Sequence, residues 1–112
     1  MPKFLISFPA EAMRLSPAEV EQAGKDAHAV IAAAKAAGVH VFAGGIDAAA
    51  GPVRVHADGR VEPGGYPGRL LDGGFAVLDL PGPAEAKDWA RRLAAACGCA
   101  QEVRVFGEDP ES

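Results

Sequence analysis

The sequence has few of the residues that usually indicate a disulfide framework or a metal site. Its 112 residues include only two cysteines, two methionines, one tryptophan and one tyrosine. Cys97 and Cys99 are separated by one residue, so a disulfide between them would close a very small, strained ring. Two ligands do not make a zinc site. We therefore expect two small buried thiols at the end of a helix, no metal and no cofactor.

The sequence also lacks a basic excess and long apolar runs. Its net charge at pH 7 is −4, which argues against nucleic acid because phosphate contacts need a basic surface. No apolar run approaches the ~20 residues that span a bilayer. The apolar run near the N-terminus has the length of a strand and is too short for a signal peptide. We expect a cytoplasmic protein that binds neither nucleic acid nor membranes.

Length and composition indicate one domain. A chain of 112 residues can bury roughly two-thirds of its unfolded surface. Much of the 49% apolar content is alanine, so the five phenylalanines and Trp89 must supply a large share of the core. We expect a single domain over residues 1–107 and a disordered acidic tail over residues 108–112.

The first half of the domain predicts a strand followed by a helix. Residues 3–8 are apolar on both sides of a strand. The segment 16–19, Ser-Pro-Ala-Glu, is a capping box with proline at the first helical position. The helix should run to about Ala37 and end at Gly38. Within it, Gly24 suggests close packing or a mild bend. The apolar stripe has helical spacing and contains Val20, Ala23, Ala27, Val30, Ile31 and Ala34.

The middle of the chain predicts a strand and then a ribbon. Residues 39–43 should form a strand on which His40 shares a face with Phe42. Residues 52–62 alternate in polarity around an Asp-Gly turn, which is typical of a hairpin. We expect one side of this ribbon to face inward, with Val53, Val55 and Ala57. The other side should face solvent, with Arg54 and His56.

The last third is the unit around which the domain is organised. A buried strand over residues 75–80, a Pro-Gly-Pro break and an amphipathic helix anchored by a buried Trp89 lead to a final strand at residues 102–106. The full order is β-α-β, a hairpin, then β-α-β. It predicts an α+β, ferredoxin-like βαββαβ fold, with an antiparallel sheet, an inserted hairpin and two helices on one face. Because the strands are apolar on both sides, we expect a homodimer through the open sheet face.

Several short segments also occur in a characteristic order over roughly residues 3 to 106. They are Phe4-Leu5-Ile6, Ala36-Ala37-Gly38-Val39, Gly44-Gly45, Gly73-Gly74-Phe75, Val77-Leu78-Asp79, Ala86-Lys87-Asp88-Trp89-Ala90 and Glu102-Val103-Arg104-Val105. In these segments the chain resembles the YCII-related family, in particular its Asp-Gly-Pro-Phe branch. The resemblance implies a ferredoxin-like fold that dimerises sheet to sheet into a dimeric α/β barrel. Some members are proposed enzymes with a histidine and an aspartate in a cleft, and others lie beside sigma-factor genes.

The chain differs from the family at the motif that names the branch. Where Asp-Gly-Pro-Phe would stand, it has Pro63-Gly64-Gly65-Tyr66. The aspartate is therefore missing. This absence argues against catalysis and favours binding.

Five residues are candidates for a site. His28, at the border of the helical stripe, is either a surface group or a general acid or base. His40 is either a structural histidine or a ligand contact. Tyr66, Arg69 and Asp72 surround a glycine-rich loop and are either solvated or able to hold a carboxylate or phosphate. We expect a site where this loop meets the open sheet face, with His28 and His40 as its catalytic candidates.

Two functional hypotheses follow. The first is a homodimer that binds a small anionic molecule in the barrel cavity, with a cofactor-free isomerase or lyase reaction as its catalytic form. The second is a non-catalytic accessory protein that binds a protein partner. Polar side chains in the cavity would favour the first, and a cavity filled by Phe42 and Leu78 would favour the second.

Overall fold

The fold is a four-stranded antiparallel sheet with two helices, accompanied by a separate two-stranded ribbon. The computed structural model describes residues 1–69 and 71–112. Along the chain lie β1 (Lys3–Phe8), a 3₁₀ turn (Ala10–Ala12), α1 (Pro17–Ala36), β2 (His40–Gly45), β3 (Val53–Val55), β4 (Val61–Pro63), β5 (Gly74–Asp79), α2 (Pro83–Cys97) and β6 (Glu102–Val105). The strand order β2-β5-β1-β6, with β3-β4 apart, confirms an α+β fold and is compatible with the ferredoxin-like arrangement.

The predicted capping box starts α1. The Ser16 hydroxyl accepts a hydrogen bond from the Glu19 backbone N–H at 3.3 Å, and the Glu19 carboxylate accepts from the Ser16 backbone N–H at 3.0 Å. These two bonds satisfy donors that a helix start leaves without partners. After α1, Gly38 has a φ of +74°, a left-handed conformation that glycine adopts without steric cost. Both ends of the helix therefore follow from local sequence.

The core lies between α2 and the sheet. The predicted face of α2 is buried at Ala86, Ala90, Leu93 and Cys97. This face of α2 packs against Phe4, Ile6, Ala76 and Leu78 of the sheet.

Trp89 corrects one expectation, because it is only partly buried at the border of this core. The Arg92 guanidinium lies 4.4 Å from the centre of the indole ring, so one face of the ring is covered by a cation instead of by core side chains.

Helix α1 packs less closely than its stripe predicts. Only Ala23 and Ala34 are buried, and Val20 remains 46% exposed. Of the two alternatives expected at Gly24, close packing or a mild bend, close packing is wrong, since a Cβ placed there would have no atom within 4 Å. The small side chains of the stripe are too short to fill the space between this helix and the sheet. This part of α1 therefore leaves a cleft.

A β-bulge divides β2 into two parts. His40 pairs with Leu78, and Phe42 pairs with Val77, with a register shift between them. Because facing residues of an antiparallel pair share a side of the sheet, His40 lies on the helix-covered face with Leu78. Phe42 lies on the opposite face. The expectation that His40 and Phe42 share a face is wrong, because the extra residue in the bulge reverses the alternation.

The ribbon is also oriented differently from the expectation. Val53, Val55 and Val61 are 58%, 68% and 56% exposed, whereas Arg54 and His56 are half-buried. The expectation that the valines and Ala57 face inward is therefore wrong. The polar side chains contact one another on the opposite side of the ribbon, where Glu62 lies 2.6 Å from His56 and 3.8 Å from Arg54.

In the described part of the chain, neither helix combines the length and apolar character required to cross a bilayer.

Candidate functional site

A cleft of about 540 Å³ lies between α1 and the sheet. It exists because α1 presents Ala23, Gly24 and Ala27 toward the sheet, and these side chains leave the space open. Apolar side chains from several elements form most of its wall: Ile6, Phe8, Met13, Val20, Ile31, Ala43, Ala76, Leu93 and Cys97. The cleft is therefore suited to the apolar body of a small molecule.

Four longer polar side chains line the same cleft, and all of them can donate hydrogen bonds. They are His28, Lys35, His40 and Gln101. No aspartate or glutamate is among the described residues that line it. Lysine supplies three donors and a fixed positive charge, and each histidine supplies at least one donor. Such a lining favours an acceptor-rich or anionic group on the ligand.

The two candidate catalytic histidines reach the cleft from different elements. His28 comes from α1 and is exposed, while His40 comes from the first residue of β2 and is half-buried. The bulge after His40 is what places this side chain on the helix-covered face. The cleft thus has one imidazole on its helical wall and one on its strand wall.

Cys97 belongs to the wall of this cleft as a neutral thiol. Burial raises its pKa above the ordinary value of 9.0, and the neighbouring Cys99 raises it further. Burial also raises the pKa of Cys99. A protonated thiol is a poor nucleophile and a poor metal ligand. Covalent chemistry at Cys97 is therefore disfavoured at neutral pH.

The other three candidate residues lie elsewhere. Arg69 and Asp72 line a second depression with Ser7, Glu102 and Arg104. Asp72 also has a structural contact, since its carboxylate accepts a hydrogen bond from the Ala10 backbone N–H at 2.9 Å.

Tyr66 is 73% exposed and lies beneath Arg54, whose guanidinium is 5.9 Å from the ring centre. The five candidates therefore separate into a cleft pair, a pair in the second depression, and Tyr66 on the ribbon side.

Lys35 and Gln101 were not among the sequence candidates. Lys35 follows His28 by seven residues, two helical turns, so the two side chains point to the same side of α1. That spacing is a signal visible in the sequence. Gln101 lies in the short connection between α2 and β6, where no periodic pattern indicates a direction.

No protein-family profile matches this chain, and no curated protein matches it significantly. Within residues 1–69 and 71–112, no three histidine, cysteine, aspartate or glutamate side chains converge in a way that could hold a metal ion.

Proposed function

We propose that this chain is a YCII-like homodimeric protein that binds a small molecule with an anionic group and an apolar body. In this proposal the ligand occupies the cleft between α1 and the sheet, and the two chains associate through the open sheet face. The observation that carries the binding site is the composition of the cleft wall. It is apolar except for His28, Lys35, His40 and Gln101, all of which can donate.

The apolar part of the wall favours a ligand with a hydrocarbon or aromatic body. Burying such a body contributes roughly 25 cal/mol per Å² of apolar surface removed from water. The volume of about 540 Å³ lies within the range of about 300–1,000 Å³ that small-molecule sites occupy. The ligand therefore has the size of a short fatty or aromatic acid.

The polar part of the wall favours a carboxylate or phosphate on that body. Lys35 supplies a positive charge, and hydrogen bonds to ionised groups are about twice as strong as neutral ones. An amine of the same length would be disfavoured, because Lys35 would repel it and no described carboxylate of the wall would pair with it. Selectivity for anions follows from this asymmetry.

As an enzyme, the proposed protein would catalyse a proton transfer. Two imidazoles on opposite walls can remove a proton from one side of a bound carbon and return it from the other, as a cofactor-free isomerisation requires. The carboxylate of the substrate would be held by Lys35. The test is exchange of the α-proton of a bound acid with D₂O, followed by NMR, with His28→Ala and His40→Ala each slowing exchange at least tenfold.

Calorimetric titration with matched ligands tests the binding proposal. Straight-chain carboxylates from four to ten carbons, benzoate and phenylacetate form the panel, and amines and primary amides with the same bodies form its control. We expect binding by at least one carboxylate and none by the matching amine. Lys35→Ala should raise the Kd of that carboxylate about tenfold, the effect of losing one charge-assisted hydrogen bond.

Lys25→Ala is the matched control on the same helix. Lys25 is exposed and lies 3.8 Å from Glu21, outside the cleft wall, so its removal should leave the Kd unchanged. Equal effects of the two lysine substitutions would indicate nonspecific attraction and contradict the proposed site. A panel without any bound carboxylate would overturn the proposal and favour the accessory-protein hypothesis.

A further inference from the structure

The second depression lies on the side of the sheet that the helices leave open. In the register of the sheet, Ser7 of β1 stands between Phe75 of β5 and Glu102 of β6. Facing residues of antiparallel strands share a side of the sheet, and the preceding residue, Ile6, belongs to the core on the other side. Ser7, Phe75 and Glu102 therefore form a row along the floor of the depression, which has a volume of about 600 Å³.

Ser7 places a buried hydroxyl in this floor. The residue is 6% exposed, and it is the only polar residue buried to this degree in the part of the chain that the structure describes. Within residues 1–69 and 71–112, no hydrogen bond joins its hydroxyl to another group. A buried hydroxyl without a hydrogen bond costs free energy. A ligand in the depression would supply the bond that the described chain does not.

The charged side chains around the floor include one cation and one anion that form no ion pair within the described chain. Arg104 and Glu102 bond to each other at 3.0 Å, and the Asp72 carboxylate accepts a hydrogen bond from a backbone N–H at 2.9 Å. Arg69 and Glu11 line the depression and take part in none of the described salt bridges. The depression therefore offers one guanidinium and one carboxylate to a ligand.

This pair of charges distinguishes the depression from the cleft, where no described carboxylate lines the wall. A simple anion in the depression would be attracted by Arg69 and repelled by Glu11, and a simple amine would meet the reverse. A zwitterion meets both residues with an opposite charge. The remaining lining is largely apolar and includes Leu5, Phe8 and Phe75, which suits a hydrocarbon side chain on the ligand.

We propose that the second depression is a binding site for a free α-amino acid with an apolar side chain. The ligand carboxylate pairs with the Arg69 guanidinium, whose parallel N–H donors match a carboxylate, and accepts a hydrogen bond from the Ser7 hydroxyl. The ligand ammonium group pairs with Glu11, and its side chain lies on Leu5 and Phe75. The site and the cleft lie on opposite sides of the sheet. All residues of the site belong to one chain, so the inference goes beyond the proposed function and does not depend on the homodimer.

Calorimetric titration with L-leucine and L-phenylalanine tests the site. Isoamylamine and phenethylamine are the matched probes, because they keep the body and the amino group and lack the carboxylate. We expect at least one of the two amino acids to bind, with a Kd at least about tenfold lower than that of its matched amine.

Substitutions in the depression assign the binding to its residues. Arg69→Ala and Glu11→Gln should each raise the Kd of the bound amino acid about tenfold, the effect of losing one charge-assisted hydrogen bond. Arg91→Ala is the matched control and should leave the Kd unchanged, since Arg91 lies on α2 and bonds to Asp88 at 2.9 Å. Ser7→Ala should also raise the Kd. It should not lower the urea midpoint of the free protein, because it removes a buried hydroxyl that lacks a partner.

The outcomes separate this site from the cleft. Binding that weakens with Arg69→Ala and Glu11→Gln, and not with Lys35→Ala, supports the site even if no carboxylate binds in the cleft. Binding that weakens with Lys35→Ala, and not with Arg69→Ala, would place the amino acid in the cleft and overturn the site. Failure of both amino acids to bind would also overturn it and would leave the proposed function intact. A lower urea midpoint for Ser7→Ala would overturn the role of the hydroxyl.

Discussion

The carbonyl oxygen of Phe8 occupies the position where a side chain at Gly73 would begin. Gly73 has a φ of +80°, and a Cβ placed on it would overlap that oxygen and approach the Ala10 nitrogen to 2.8 Å. The end of β1 and the start of β5 are thus in contact through backbone alone. This contact also places the Asp72 carboxylate next to the Ala10 backbone N–H, from which it accepts a hydrogen bond.

We predict that Gly73→Ala is much more destabilising than the same change at another left-handed glycine. Gly38 also has a positive φ, but a Cβ there meets nothing within 4 Å, so Gly38→Ala should cost about 1 kcal/mol for backbone strain alone. Gly73→Ala adds a backbone overlap and should cost roughly 3 kcal/mol or more. Urea denaturation of both variants measures the difference. Equal losses would show that Phe8 does not approach Gly73 so closely.

The capping box of α1 should contribute measurably to stability. Ser16→Ala removes the hydroxyl acceptor at the helix start and should lower the free energy of unfolding by about 1 kcal/mol. Ser112→Ala is the control, since Ser112 bonds only within the exposed tail. Thermal melts of the two variants give the comparison, and a Ser16→Ala melt identical to the control would contradict the cap.

The same cap predicts a direction for pH dependence. The hydrogen bond from the Ser16 backbone N–H, followed by that from its side chain, lowers the pKa of Glu19 below its ordinary 4.5. A lowered pKa in the folded state means that the stabilisation is present above the unfolded-state value and is lost as pH falls through the folded-state value. Glu19→Gln should therefore differ from wild type at neutral pH and converge with it in acid. Denaturant melts at pH 7 and pH 3 test the convergence.

Cys97 should react with iodoacetamide far more slowly than Cys99. Cys97 is 6% exposed and burial raises its pKa, so both access and thiolate fraction are reduced. We expect a rate at least about tenfold lower at pH 8, read by peptide mass spectrometry. In 6 M urea the two rates should become equal. Equal rates in the folded protein would place Cys97 outside the cleft wall.

Trp89 should contribute less than a fully buried tryptophan does. Its ring packs on the core from one side and on Arg92 from the other. Trp89→Ala should cost about 2–3 kcal/mol, below the 3–5 kcal/mol typical of fully buried large aromatics. Trp89→Phe is the control and should recover most of the loss. Circular dichroism in urea follows both, and a loss under 0.5 kcal/mol would show that the ring does not contact the core.

Local signals in the sequence were sufficient for the two helices and their ends. The Ser16–Glu19 box, Gly38 and the 3.6-residue spacing of α2 each act over a few residues, so their outcome is independent of the rest of the fold. The order of the elements then restricts the topology. Those signals did not predict the partial exposure of Trp89, because an amphipathic stripe indicates the direction of a side chain and not the depth of its burial.

Features that depend on contacts distant in sequence were not predictable. Alternation in the ribbon separates valines from charges but does not say which side meets solvent. In the structure the side with Glu62, His56 and Arg54 is the more buried one. One extra residue between His40 and Phe42 changed the face of a candidate catalytic side chain. No local pattern marks such a bulge. The cleft itself is a space between elements, and its lining includes Gln101 from a connection with no periodicity.

The empty space beside Gly24 allows the size of the cleft to change without a matching change in the stability of the fold. Because a larger side chain at this position would extend into the cleft and not into the core, it would reduce the volume of the cleft at little cost to the stability of the fold. Mutations that alter substrate choice usually consume stability, which limits how many a lineage can accumulate. A helix lined with alanine and glycine above an open cleft relaxes that limit. In the proposed binding role, single substitutions along this stretch of α1 would therefore change the size of the ligand that fits and leave the protein folded.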